Sequence, residues 1–94
     1  MSQIEEVTID VRDVDYEWFR DVRAFVDRDR DRFYLPREAA ERLGEIDPDT
    51  GDAWLIDGRV EAKAEEIDVD GGLVPCWSVG CDQLIVRPAA ATRR

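Results

Sequence analysis

Asp27, Asp29 and Asp31 fall at every second residue, and Glu38 stands twelfth counting from Asp27. That is the carboxylate spacing of a calcium loop. The sixth position of such a loop needs glycine for its sharp turn, and here it is Arg32. Arginines fill the intervening positions and would repel the ion, so residues 28–32 read as a solvated strand or loop with cross-paired charges. Asp47, Asp49 and Asp52 suggest a second cluster, but Pro48 and Gly51 explain them as a turn. No metal is expected.

Cys76 and Cys81 are the only cysteines, and there is no histidine. A zinc site needs about four ligands, so the pair could supply at most half of one shared across a dimer. A disulfide is a further alternative, disfavoured in a reducing compartment. The preferred reading is two small apolar residues on adjoining strands. Ser2 and Ser78 have no histidine to activate them. Gly71-Gly72 opens no helix and so is no phosphate loop. An acid/base pair cannot be singled out among 23 carboxylates. The expectation is a protein that is not an enzyme and takes no cofactor.

The charge pattern bears on the solvent more than on chemistry. Net charge is −10, Asp outnumbers Glu by 14 to 9, and Lys63 is the single lysine against twelve arginines. Short hydrated carboxylates suit strong brine, where the Debye length is about 3 Å or less and acidic surfaces barely repel themselves. The composition points to a salt-loving cytoplasm. Residues 12–42 are nearly neutral (net −1), residues 43–86 carry −9, and residues 87–94 carry +3. An anion-binding surface would have to come from the first half or the tail. No apolar run is long enough to span a membrane and the first residues do not resemble a signal peptide, so a cytoplasmic location without membrane partners is expected.

Ninety-four residues make one domain, expected over 1–88 with a flexible tail at 89–94. Alternation of Val7, Ile9 and Val11 against Thr8 and Asp10 predicts a strand over 3–11. Trp18, Phe19, Val22, Phe25 and Val26 lie at helical spacing and predict an amphipathic helix over 15–27, with a strand through Val22, Ala24 and Val26 as the competing reading. Phe33-Tyr34-Leu35 reads as a short strand. Pro36 suits the first position of a helix over 36–43, which carries an apolar stripe (Leu35, Ala39, Leu43), an i,i+4 pair (Glu38, Arg42) and Gly44 as a left-handed cap. Residues 47–51 form a turn. Asp57-Gly58 predicts a hairpin between Trp54–Ile56 and Arg59–Lys63. A second hairpin follows, from Ile67 and Val69 through Asp70-Gly71-Gly72 to residues 73–79. A last strand covers 84–86. Pro75 places its strand at an edge or a bulge. The fold class is α+β, with about six short, mostly antiparallel strands and two helices. The aromatic residues Trp18, Trp54, Trp77, Phe19, Phe25 and Phe33 are mostly core, with one or two on a partner surface.

Residues 33–63 read Phe-Tyr-Leu-Pro-Arg-Glu-Ala-Ala-Glu-Arg-Leu-Gly, a Pro-containing turn, Gly51-Asp52, a short strand, Asp57-Gly58 and a second strand. This segment, a third of the chain, resembles the core of the AbrB-like swapped-hairpin regulators and antitoxins. The resemblance implies an intertwined homodimer that binds DNA through arginines beside the Leu-Pro step, here Arg30, Arg32, Arg37 and Arg42. The acids that flank each arginine of the 28–32 run depart from that pattern. The leading expectation is a non-enzymatic interaction domain that forms a homodimer; a DNA-binding regulator is the alternative. A third reading has the acidic half occupying a basic protein partner.

Overall fold

The computed structural model describes residues 4–89. Along it come β1 (Ile4–Arg12), β2 (Trp18–Asp27), β3 (Arg32–Pro36), α1 (Arg37–Leu43), β4 (Gly44–Ile46), β5 (Ala53–Leu55), β6 (Val60–Val69), β7 (Gly72–Gly80), a 3-10 turn (Cys81–Gln83) and β8 (Val86–Pro88). The strands form one sheet in the order β4-β5-β6-β7-β3-β2-β1-β8, and every neighbouring pair is antiparallel. The domain is therefore mostly β: eight strands and one short helix replace the expected six and two.

Aspartates build the loops. The Asp13 carboxylate accepts the N–H groups of Asp15 and Glu17 between β1 and β2. Asp27 does the same for Asp29 and Arg30 between β2 and β3, and Asp47 for Asp49 and Thr50 before β5. A short side-chain acceptor that closes a turn on its own backbone is the reason for Asp at these places. The β6–β7 hairpin turns on Asp70 and Gly71, both at positive φ, as a two-residue turn requires.

The expected helix over 15–27 is instead β2. Its register places Val22, Ala24 and Val26 opposite Ile9, Val7 and Glu5 of β1, while Phe25 stands opposite Tyr34 of β3. Both faces of this strand are buried near its end, with Val22, Ala24 and Val26 in the main core and Phe25 in a second cluster with Tyr34, Ile67 and Cys76. Burial on both faces erases simple alternation and imitates helical spacing. Branched and aromatic residues paired on both sides then settle the strand.

Other expectations shift locally. Asp10 is buried at 1 % exposure, not turned to solvent: it stands opposite a bulge of β2 and its carboxylate accepts the Asp21 N–H and the Arg87 guanidinium. The strands expected over 59–63 and 67–69 join in the single long strand β6, which begins at Val60, and the last strand begins only at Val86. Pro36 precedes the helix as its N-cap. Gly44 is extended and opens β4 instead of forming a left-handed cap. A side chain there would run into the Trp54 carbonyl and the Leu55 Cα, so glycine is needed for close approach of two strands. Glu38 and Arg42 do not pair: Glu38 meets Arg23 at 3.6 Å, and Arg42 donates to the carbonyls of Arg20 and Asp21. Pro75 lies in an interior strand, but beyond the reach of β3, whose pairing with β7 stops at Cys76. Cys76 (β7) and Cys81 (3-10 turn) share one stretch of chain instead of adjoining strands, and both are free. Ala89 is buried and its N–H donates to Thr8, so the chain stays docked through that residue; 90–94 lie outside the described residues.

The main core gathers Ala39, Ala40 and Leu43 of α1 with Leu35, Leu55, Trp77 and Val79 of the sheet. Strand β6 changes partner midway. Val60–Ala62 pair with β5, and Lys63–Val69 pair with β7. Just before β5 begins, the Asp52 carboxylate continues its pairing and accepts the Ala64 N–H at 3.2 Å.

Candidate functional site

The four arginines implied by the resemblance are spread over the sheet. Arg30 lies in the exposed β2–β3 loop with Nε 3.9 Å from Asp27. Arg32 opens β3 and donates to the Ser78 hydroxyl at 2.9 Å. Arg37 follows the other end of β3, roughly 15 Å along the strand direction, and its guanidinium lies over the Trp77 ring. Arg42 is engaged with two backbone carbonyls of β2, those of Arg20 and Asp21. Arg30 and Arg32 thus stand at one end of β3 and Arg37 at the other. Among the described residues no group of three or more His, Cys, Asp or Glu side chains could hold a metal. The Asp27 carboxylate is spent on its own loop. Burial pushes the Cys76 thiol up to about 11, with Glu38 and Glu65 adding to the effect against Arg23, so this cysteine is a neutral core residue.

Three loops converge at a different place. The β5–β6 turn is fixed by Ile56, whose N–H donates to the Leu43 carbonyl at 2.8 Å. The segment before β8 is fixed by the Arg12 N–H, which donates to the Ile85 carbonyl at 2.9 Å. The β1–β2 loop carries Tyr16 at positive φ. Ile56 itself has φ +56°, which a β-branched residue adopts only under strain.

Two clefts open side by side here. One, of about 630 Å³, is lined by Asp13, Asp15, Glu41, Glu45 and Asp57 around Phe19, Trp54 and Ile56. Its one cation, Arg42, is already held by the backbone. The other, of about 230 Å³, is flanked by Arg12 and Arg59 around Tyr16, Val60 and Ile85. Arg12 covers the Tyr16 ring, 4.9 Å from its centre. Asp13, Val14 and Ile56 line both clefts and form the ridge between them. Among the described residues the large exposed hydrophobic side chains are Tyr16, Trp54, Leu73 and Ile85. All but Leu73 belong to these two clefts. The arrangement is an acidic patch and a basic patch side by side, divided by Asp13, Val14 and Ile56.

The sequence carried two signals for this face. Tyr16 is a lone aromatic between Asp15 and Glu17, and Trp54 alternates with Ala53 and Leu55, which are buried. Arg12, Arg59 and Ile85 gave none, because only the topology brings them together.

No protein-family model matches the chain, and no curated protein or solved structure matches it. No helix among the described residues is long and apolar enough to cross a membrane.

Proposed function

We propose that this protein is a non-catalytic interaction domain, adapted to brine, that pairs with a second copy of itself through the two-cleft face. The observation that supports this reading is the side-by-side placement of opposite patches about the shared residues Asp13, Val14 and Ile56, with Trp54 exposed in one cleft and Tyr16 and Ile85 in the other. A surface with adjacent acidic and basic halves is self-complementary. A two-fold axis through the ridge lays each acidic half on the partner's basic half, the isologous arrangement of most homodimers. The exposed aromatic and aliphatic residues supply the apolar centre that such contacts need.

Strong salt suits this arrangement. Long-range repulsion between two acidic chains is screened away, contact ion pairs at the rim survive in part, and burial of apolar surface carries the affinity. The absence of histidine, and a Ser78 hydroxyl occupied by Arg32, fit a protein without catalytic chemistry.

Sedimentation velocity in multimolar potassium chloride tests the proposal. The wild type is expected as a dimer. Trp54→Ser with Ile85→Ser is expected to weaken pairing by about tenfold or more with an unchanged circular dichroism spectrum. A wild type that sediments as a monomer at every concentration rejects the proposal.

A further inference from the structure

The β6–β7 ribbon carries an open edge on a part of the molecule remote from the two clefts. In an antiparallel ladder, alternate residues direct their N–H and C=O groups toward the partner strand and away from it. The Ala64 N–H donates to Asp52, on the side away from β7. Glu66 and Asp68 follow at the same parity, so their backbone groups also point away from β7. Strand β5 pairs no further than Ala62. Among the described residues nothing meets the outward groups of Glu66 and Asp68.

The ribbon's other edge is treated differently. Past Cys76 strand β7 has no partner in β3, and Pro75 removes the donor that would lie there. One edge is thus blunted and the other left open. The open strand is anchored, since Ile67 is buried in the second cluster and Val69 packs against it. Its exposed charged side chains are Glu61, Glu65, Glu66 and Asp68, with Lys63 as the only cation. The Lys63 ammonium is already taken by Asp52 and Glu61.

We propose that this edge accepts an extended segment of a partner protein as an added β-strand, the segment carrying lysine or arginine at alternate positions. Main-chain bonds to Glu66 and Asp68 supply register, and the carboxylates select the charge. A second copy of β6 is a poor occupant, because antiparallel self-pairing sets Glu66 and Asp68 against carboxylates.

The test is a titration of the isotope-labelled protein with a short synthetic peptide alternating lysine and valine, followed by amide hydrogen exchange. A control peptide of equal charge has proline in place of the valines and cannot form a strand. The first peptide is expected to slow exchange at Glu66 and Asp68 by about tenfold or more, and the control is expected to leave both unchanged. Glu66→Lys with Asp68→Lys is expected to weaken binding by about tenfold or more. Glu66→Pro, which removes an outward donor and no bond to β7, is expected to abolish the protection at Asp68. Failure to slow exchange, equal protection by both peptides, or affinity unchanged by the double charge reversal overturns the proposal. Arg12→Glu with Arg59→Glu, which disturbs only the two-cleft face, is expected to leave peptide binding intact, so failure of one proposal does not hide in failure of the other.

Discussion

The indole N–H of Trp77 donates to the Gly51 carbonyl at 3.0 Å and ties a surface turn to the middle of the sheet. Beside it, Asp52 bonds the Ala64 N–H and the Lys63 ammonium. Together these contacts hold the 47–52 turn where β5 must begin, and hence place Trp54 on the exposed side of its strand. Trp77→Phe keeps the ring under Arg37 but removes the donor. It is expected to cost about 1–2 kcal/mol in urea unfolding and to speed amide exchange at Ala64.

Gly44 makes a stronger demand. The Trp54 carbonyl and the Leu55 Cα occupy the space of a Cβ at this position, and both are backbone atoms that cannot swing aside. Gly44→Ala is therefore expected to destabilise by about 2 kcal/mol or more. A thermal midpoint equal to that of the wild type would show that β4 does not lie against β5 as described.

Asp10 links stability to acid. The Asp21 N–H and the Arg87 guanidinium hold its carboxyl below the ordinary value of 3.8, against the effect of its burial. A depressed folded value means that its contribution is fully present above the unfolded value and is lost as pH falls through the folded one. Asp10→Asn should thus be less stable than the wild type at neutral pH, with the gap closing below about pH 4. Paired chemical unfolding curves across that range measure it. Arg87 also stacks on Trp18 at 3.9 Å, so the same variant should loosen β8 from β1.

Much of the fold was legible in the residues. The hairpins at Asp57-Gly58 and Asp70-Gly71, the helix after Pro36 and the first strand all follow from local rules of dihedral preference and alternation. What was not legible depends on distant partners. Strand β2 looks helical until β1 and β3 pair along its edges and both of its faces meet core clusters. Gly44 looks like a cap until Trp54 arrives against it. The two-cleft face joins Arg12, Arg59 and Ile85 across most of the chain, and no local pattern could join them. Asp47 closes the turn read at 47–51, and Asp13 and Asp27 close their own loops in the same way.

The self-complementary face is tested most directly by exchanging its charges between copies. Arg12→Glu with Arg59→Glu makes both halves acidic, and Glu45→Arg with Asp57→Arg turns the acidic half toward basic. Each double variant alone should pair more weakly than the wild type, by about tenfold or more, in potassium chloride. An equimolar mixture should sediment as a heterodimer, with affinity within about tenfold of the wild type. Variants that each dimerise as well as the wild type, or a mixture that stays monomeric, would contradict pairing through this face.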